Sequence, residues 1–374
     1  MNFNIAVLPG DGIGPEIVEQ AIKVVNAVGK KFNHTFKYDY ALVGAIAIDK
    51  TGSPLPEDTL VKCKASDAVL FGAIGDPRYD NDPKAKVRPE QGLLAMRKEL
   101  GLYANIRPVS TFSSLADKSP LKKEIVEGVD LVMVRELTGG IYFGKPQGRS
   151  EDGKTAYDSC VYSVHEVERI VKLACTLAMA RRKKLTVVDK ANVLATSRLW
   201  RETAQRISAE YPGLEMDFMF VDNAVMQLIQ WPGRFDVIVT ENMFGDILSD
   251  LGAALMGGMG LAPSADIGAE HAVFQPCHGS APDIAGKGTA NPTATFLSAA
   301  MMFEWLGDRH QDARATATGR LITTAVEQAF AAGDLVPVEL GGSAGTEAIT
   351  ARVLGHIPGA TNSRLARGHA ADGR

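Results

Sequence analysis

The sequence of 374 residues is poor in cysteine, and its four thiols lack the spacing that metal sites and disulfide frameworks require. Cys63, Cys160, Cys175 and Cys277 are scattered without a CxxC pair, so we expect reduced thiols in a cytoplasmic protein. The chain also has no apolar run long enough to span a bilayer. Its first four residues lack the basic start and apolar core of a signal peptide, which again favours the cytoplasm.

An excess of positive charge is also missing, since the formal net charge is −4. Nothing in the overall charge favours nucleic acid or an anionic membrane, so we expect a small-molecule substrate and neither of those partners. Hydrophobic residues make up 45% and charged residues 22%, as in globular proteins. A chain of this length suggests two domains or one large α/β unit.

Short apolar runs alternate with segments of helical periodicity. We predict buried strands at residues 5–8, 68–73, 129–134, 185–188 and 237–240. Pro15 suits the first position of a helix, and the apolar residues after it follow helical spacing. Strands separated by helices predict an α/β fold whose strands pair mostly in parallel. Residues 138–157 are rich in glycine, lysine and aromatics without a helical period, which predicts a protruding hairpin or arm.

A glycine-rich segment at residues 9–16 follows the first predicted strand. Gly10 and Gly12 match the start of the dinucleotide motif GxGxxG, but Pro15 stands where the last glycine belongs. No Gly-Lys-Ser/Thr follows, so the segment is not a phosphate-binding P-loop either. We predict a tight turn whose backbone can approach a ligand closely.

Two acidic residues, Asp246 and Asp250, lie four apart directly after a predicted strand. On a helix they would share one face. Two confined carboxylates repel each other unless a cation lies between them, and such oxygen ligands suit Mg²⁺ or Mn²⁺. Helix-capping aspartates that face water explain the spacing equally well.

Several cationic residues stand at positions where a site could form. Arg97, Arg107 and Arg135 could bind a di-acid through bidentate pairs, although surface ion pairs are the commoner use of arginine. Arg135 and Lys190 each follow a buried strand, where site residues of α/β folds tend to lie. A desolvated Lys190 could accept a proton, whereas an exposed loop lysine is more common. Tyr142 could be an acid or a packing aromatic.

An irregular loop of small residues spans positions 278–288. It could wrap a nucleotide, with His278 stacking and Asp283 accepting hydrogen bonds from ribose hydroxyls. An acid at that point would repel a 2′-phosphate, which favours NAD over NADP. An ordinary surface loop remains the alternative.

Together these segments resemble the β-decarboxylating dehydrogenase family, which includes isopropylmalate, isocitrate, homoisocitrate and tartrate/D-malate enzymes. The resemblance runs from about residue 4 to about residue 357. Its most specific segments are residues 10–16, 90–94, 134–144, 189–194, 244–250 and 278–288. Residues 136–144, Glu-Leu-Thr-Gly-Gly-Ile-Tyr-Phe-Gly, are similar to the isopropylmalate branch.

The resemblance implies an α/β fold of two domains that share a large mixed sheet, different from a Rossmann fold. A cofactor-binding domain would comprise residues 1–102 and 257–357, and a substrate and dimerisation domain residues 103–256. The implied assembly is a homodimer with active sites shared between subunits, in which the arm at about 138–157 pairs with its twin. The small, polar residues 358–374 predict a disordered tail.

The resemblance also implies a role for each candidate residue. Arg97, Arg107 and Arg135 would hold the carboxylates of a malate, and Tyr142 would protonate the enolate after CO₂ leaves. Asp246 and Asp250 would bind Mg²⁺ or Mn²⁺ together with Asp222 of the partner subunit. Lys190 of the partner subunit would remove the hydroxyl proton. The implied NAD contacts are His278, Gly279, Ser280, Ala281, Asp283, Ile284 and Asn291.

The expected substrate follows from three apolar positions. By the resemblance, Leu93 and Leu94, with Val193 of the partner subunit, match positions that line the substituent pocket. An apolar wall suits an isopropyl group better than a carboxymethyl group. The implied reaction is the NAD-dependent oxidative decarboxylation of 3-isopropylmalate in leucine biosynthesis. A D-malate or tartrate enzyme is the alternative, because a pocket poorly rejects a substrate that merely lacks methyl groups.

Three residues depart from the family pattern. Gln275 and Cys277 stand where a glutamate and a valine are common, and Glu241 stands where the residue is usually small or neutral. These changes affect the expected cofactor affinity and selectivity and leave the catalytic residues intact. A non-catalytic subunit of the family is disfavoured for the same reason.

Overall fold

The computed structural model describes residues 1–82 and 85–359. Its strands are β1 (Asn2–Gly10), β2 (Thr35–Tyr40), β3 (Ala68–Ala73), β4 (Leu102–Ser110), β5 (Asp130–Glu136), β6 (Gln147–Arg149), β7 (Ala156–Asp158), β8 (Lys184–Asp189), β9 (Glu215–Phe220), β10 (Val237–Thr240), β11 (Pro263–Gly268) and β12 (Ala272–Pro276). The predicted tail lies almost wholly outside the described residues.

The helices lie between these strands along most of the chain. They are α1 (Gly14–Lys31), α2 (Ala45–Thr51), α3 (Glu57–Ala65), α4 (Pro77–Asp80), α5 (Pro89–Glu99), α6 (Lys123–Val126), α7 (Val164–Met179), α8 (Ala195–Ser208), α9 (Val221–Gln230), α10 (Asn242–Met256), α11 (Thr293–His310), α12 (Ala313–Ala331) and α13 (Thr346–Gly355). Short 3₁₀ turns include Gly140–Tyr142 and Val338–Leu340. Among the described residues, no helix is long and apolar enough to cross a membrane.

Ten strands form one mixed sheet in the order β2-β1-β3-β12-β11-β4-β5-β10-β8-β9. The three pairings β12–β11, β11–β4 and β4–β5 are antiparallel, and the other six are parallel. The mixed α/β fold expected from the sequence is therefore confirmed. The first five strands of this order come from residues 2–73 and 263–276, and the other five from residues 102–240.

Both faces of the sheet are covered, as the continuous apolar runs predict. Along β3, Ala68 and Leu70 join one buried cluster while Val69 and Phe71 join another on the opposite face, because side chains alternate along a strand. The predicted strands at 68–73 and 237–240 have the bounds expected. The first helix begins at Gly14, so Pro15 is its second residue and not its first.

The segment at 138–157 contains the predicted hairpin. Strands β6 and β7 pair in antiparallel fashion and form a separate two-stranded ribbon outside the main sheet. Its residues are mostly exposed, including Tyr157 at its second strand. A single two-stranded ribbon is marginally stable on its own, so the exposed ribbon suits a contact with a further surface.

Candidate active site

A cleft of about 420 Å³ lies beside the antiparallel centre of the sheet. The strands there carry polar residues on one face, because Asn105 and Arg107 alternate along β4 and Asn105 is the cross-strand partner of both Asp266 and Arg135. Residues of the cleft wall include Leu93, Leu94, Arg97, Arg107, Arg135, Tyr142, Asp246, Gln275, Cys277 and His278. The sheet thus brings together residues that are far apart in the sequence.

The three candidate arginines all line this cleft and are nearly buried. Arg97 Nε donates to Asp266 at 2.8 Å, and Arg107 Nη1 donates to Asp250 at 3.2 Å. Arg135 is close to Asp246 and also donates from Nε to Asn242 at 3.1 Å. Surface ion pairs, the alternative left open by the sequence, do not describe residues that are so deeply buried.

Burial and the neighbouring Arg97 lower the pKa of Arg135 to about 10, so its guanidinium stays charged at neutral pH. The three arginines are matched by three carboxylates, those of Asp266, Asp250 and Asp246. These six groups therefore balance in charge. A dianion could enter together with a divalent cation and leave that balance unchanged.

Asp246 and Asp250 lie on one face of α10 and face the buried arginines. Neither caps the helix, because Glu241 is the N-cap and its carboxylate accepts from the backbone N–H of Phe244 at 2.9 Å. Their side chains keep 41% and 58% of their surface exposed, so both carboxylates remain accessible. The capping alternative is therefore wrong for these two residues.

Tyr142 lies opposite the first turns of α10. Its hydroxyl donates to Asp246 Oδ2 at 3.0 Å, and the guanidinium of Arg135 lies 6.0 Å from its ring centre. Burial, reinforced by the Asp246 carboxylate, raises the pKa of Tyr142 to about 12. The phenol is therefore protonated at neutral pH and is aimed into the cleft.

Three further candidates, Lys190, Asp222 and Val193, lie on a surface outside the cleft. Lys190 Nζ donates to Asp222 at 2.5 Å, and this contact lowers the pKa of Asp222. Val193, which is 63% exposed, belongs to the same turn because its N–H donates to the carbonyl of Lys190 at 3.0 Å. None of the three is part of the cleft wall in a single chain. The residues that the family resemblance assigns to the partner subunit thus share one patch.

Within the described residues of one chain, no group of three or more His, Cys, Asp and Glu side chains is placed to hold a metal ion. Asp222 is accordingly not brought to Asp246 and Asp250. Two of the three predicted metal ligands are brought together, and the third lies with Lys190.

A second pocket of about 410 Å³ adjoins the cleft and shares His278 and Gly279 with it. Its wall includes Ile13, Gly260, Ala281, Ile284, Thr289, Ala290, Asn291 and Glu339. The glycine turn approaches this loop closely, since a Cβ on Gly12 would lie 2.0 Å from the carbonyl oxygen of Ser280. Asp283 is exposed outside the pocket wall, and Ser280 is buried beneath it.

His278 presents an unused acceptor at this pocket. Its Nδ1 lies 2.9 Å from the carbonyl oxygen of Gly279, which can only accept, so Nδ1 carries the proton. Burial lowers the pKa of His278, so the ring is neutral and Nε2 is an acceptor. Nε2 is buried without a hydrogen-bond partner among the described residues, and so is the hydroxyl of Thr289. Both atoms fit a ligand with polar edges.

Sequence reasoning missed three buried polar residues that hold the arginines: Asn105, Asn242 and Asp266. Asn105 and Asp266 lie within strands whose neighbours are apolar. A polar residue at alternate positions of a buried strand is the signal that could have identified them, because such a group needs a partner. Glu241 lies near Tyr162, at 3.3 Å from its hydroxyl, and away from the cleft wall.

Comparison with known proteins agrees with this geometry. The family model for isocitrate/isopropylmalate dehydrogenase matches residues 4–354. The chain belongs to this family of dehydrogenases. A 3-isopropylmalate dehydrogenase of Bacteroides fragilis is 54% identical over 360 residues, which cover 96% of this chain and 99% of the relative. That of Bacillus subtilis is 49% identical over 365 residues, which cover 96% and 98%.

Solved structures agree with the fold as well. The crystal structure of isocitrate dehydrogenase from Methylococcus capsulatus has a TM-score of 0.84 and 38% sequence identity, and the match covers 95% of this chain and 99% of that chain. The relatives named above match this chain along nearly their whole length.

Proposed function

We propose that this chain is an enzyme of leucine biosynthesis that oxidises and decarboxylates (2R,3S)-3-isopropylmalate. The products are 4-methyl-2-oxopentanoate, CO₂ and NADH. The observation that carries the proposal is the cleft itself, in which three arginines, the Asp246 carboxylate and a tyrosine hydroxyl lie beside Leu93 and Leu94. The accessible carboxylate of Asp250 accepts a hydrogen bond from Arg107 of this cleft. The names of the relatives from Bacteroides fragilis and Bacillus subtilis support it and do not favour a D-malate or tartrate enzyme.

Arg97, Arg107 and Arg135 would bind the two carboxylates of the substrate. Guanidinium groups pair with carboxylates in a bidentate geometry, and these three are already held in place by buried partners. The substrate would displace part of their contact with Asp246 and Asp250, which leaves those carboxylates to a cation.

The donor set fits a hard divalent cation. Asp246 and Asp250 supply accessible carboxylate oxygens on one helix face, and Asp222 of the partner subunit would complete the set. Bound Mg²⁺ or Mn²⁺ would supply a Lewis acid for the hydroxyl and for the charge that develops on its oxygen.

The second pocket fits a nucleotide. It shares His278 and Gly279 with the cleft, and its wall includes the buried His278 Nε2 and Thr289 hydroxyl, which have no hydrogen-bond partner among the described residues. Its remaining NAD contacts would be Ser280, Ala281, Asp283, Ile284 and Asn291. The carboxylate of Asp283 disfavours a 2′-phosphate, which favours NAD over NADP as the hydride acceptor.

Two residues would move protons in this site. Lys190 of the partner subunit would accept the proton of the substrate hydroxyl as hydride leaves the same carbon. Tyr142 would then deliver its hydroxyl proton to the carbon that loses CO₂. The protonated phenol lines the cleft and donates to Asp246, which supports this role.

The active sites would be shared in a homodimer, because Lys190, Asp222 and Val193 lie together on a patch outside the cleft of their own chain. The ribbon within residues 138–157 would pair with its twin. We also propose two domains, residues 1–102 with 257–357 and residues 103–256. The order of strands supports this division, since the sheet changes from one set of segments to the other between β11 and β4.

A panel of 2-hydroxy di- and tricarboxylic acids tests the proposal. Purified protein should reduce NAD⁺ fastest with 3-isopropylmalate, more slowly with D-malate, tartrate and isocitrate, and hardly at all with NADP⁺. EDTA should abolish the rate, and excess Mg²⁺ or Mn²⁺ should restore it. A higher kcat/KM with D-malate, or a rate that survives EDTA, would contradict the proposal.

A further inference from the structure

A buried polar cluster anchors two of the arginines, and two of its members, Ser264 and Gln275, also line the cleft. None of its members has a step of its own in the chemistry described above. Its members are Asp266 and Asn105, which have no exposed surface, together with Ser264 and Gln275, which are nearly as buried. Asp266 and Asn105 do not line the cleft. Buried carboxylates are costly unless they are paired and hydrogen-bonded, so a role for this one is expected.

Asp266 is satisfied from three sides. Its Oδ2 accepts from Arg97 Nε at 2.8 Å and from Gln275 Nε2 at 3.1 Å. Its Oδ1 accepts from Asn105 Nδ2 at 2.6 Å, across the ladder that joins β11 to β4. Three donors around one small carboxylate leave it little freedom to turn.

The same cluster also fixes a second arginine. Asn105 Nδ2 donates to Ser264 Oγ at 2.6 Å, so the amide is held in one orientation with its oxygen turned away. That oxygen accepts from Arg107 Nε at 2.7 Å. Arg97 and Arg107 are therefore each held by a hydrogen bond from Nε, which leaves their terminal nitrogens to face the cleft.

We propose that Asp266 is a positioning residue for Arg97 and Arg107. Gln275 assists it as an uncharged hydrogen-bond donor to the Asp266 carboxylate. This inference rests on the proposed function, because the arginines must bind a carboxylate substrate. Gln275 and Arg97 reach the same oxygen of Asp266. A glutamate at position 275 would set a second buried carboxylate against Asp266, and the repulsion would disturb the anchor of Arg97.

Three variants of the full chain test the proposal: Asp266→Asn, Gln275→Glu and the double variant. Asp266→Asn removes the charge that faces Arg97, and Gln275→Glu adds a second one. Each single variant should raise KM for 3-isopropylmalate by about 10- to 100-fold, because removing or unbalancing one partner of a buried charge pair is costly. The value of kcat should change by less than about threefold, because the lost interaction serves binding in ground state and transition state alike.

The double variant returns the cluster to one carboxylate beside Arg97. If the two substitutions acted independently, their increases in KM would multiply. The KM of the double variant should be at least tenfold lower than that product. Asp334→Asn is the matched control, because Asp334 pairs with Arg352 on the surface, where such pairs contribute little. KM and kcat are measured at saturating NAD⁺ and Mg²⁺, and the melting temperature is recorded for every variant.

Single variants with a wild-type KM would overturn the proposal, and so would a double variant whose defects simply multiply. If Asp266→Asn does not fold, Gln275→Glu and the double variant decide the matter, because the second must then bind substrate better than the first. A wild-type protein inactive on every di-acid would instead refute the proposed function.

Discussion

Shortening Leu94 to alanine should weaken discrimination in favour of an isopropyl substituent. Leu94 lines the cleft from α5, next to Leu93. D-malate differs from 3-isopropylmalate by the three carbons of that substituent. At ~0.8 kcal/mol for each buried carbon, the wild-type preference is about 2.4 kcal/mol, or about 60-fold in kcat/KM.

Truncation of Leu94 removes three carbons from this wall and leaves Leu93 and, in the proposed dimer, Val193 of the partner subunit. We expect about half of this free energy, about 1.2 kcal/mol, to be lost, so the ratio of kcat/KM values should fall roughly eightfold. The kcat/KM for D-malate should change by less than about twofold, because D-malate has no group against this wall. Both values come from initial rates of NADH formation.

Leu173→Ala is the control, because Leu173 is a half-buried leucine of α7 that packs against the core behind the other half of the sheet. It should lower the stability of the protein and leave the ratio of the two substrates unchanged. The reasoning would be refuted if the wild-type ratio were below about five, or if Leu94→Ala slowed both substrates equally.

Two further predictions concern shared sites and buried charge. Lys190→Ala and Asp246→Asn should each abolish turnover without unfolding the protein. The control Lys184→Ala, at the opposite end of β8 from Lys190, should leave turnover unchanged. Equal amounts of the two inactive variants, unfolded and refolded together, should regain about a quarter of wild-type activity, because half of the dimers then hold one intact site. A mixture that stays inactive would contradict the proposal that each active site is shared between two subunits. Burial raises the pKa of Glu241 above its ordinary value of 4.5, so its contribution to stability is present below pH 4.5 and is lost as the pH rises. Glu241→Gln should therefore raise the free energy of unfolding at neutral pH, and the gain should vanish in acid. Urea denaturation across this range measures it, and a loss of stability at neutral pH would count against the argument.

The sequence predicted those parts of the fold that depend on local pattern. Strands at 68–73 and 237–240 were located to the residue, because continuous apolar runs leave few alternatives once both faces of a sheet are covered. The arm was expected as a hairpin for a similar reason, since its composition excluded a helix. The order of strands could not be predicted, because it depends on contacts between distant segments.

The candidate site, like the fold, could be predicted only where it depends on local sequence pattern. Arg135 and Lys190 were singled out because each comes directly after a run that the sequence predicts as a buried strand, and Asp246 because of its spacing from Asp250. In the structure Arg135 lies within β5, which extends to Glu136, and Lys190 directly follows β8. Their partners were not predicted. Asp266 is 169 residues from Arg97 in the sequence, and no local pattern connects the two. In the proposed homodimer a second copy would complete the site, so a single chain would hold only part of the ligands and a local pattern could not reveal the geometry.

The ladder between β11 and β4 has a consequence for how this protein unfolds. It joins the two halves of the sheet by main-chain hydrogen bonds between neighbouring strands. Neither half can melt without baring a long sheet edge, and bare edges attract other chains. We therefore expect the halves to be lost cooperatively on heating, and a fragment cut at this junction to aggregate instead of surviving as an independent folded piece.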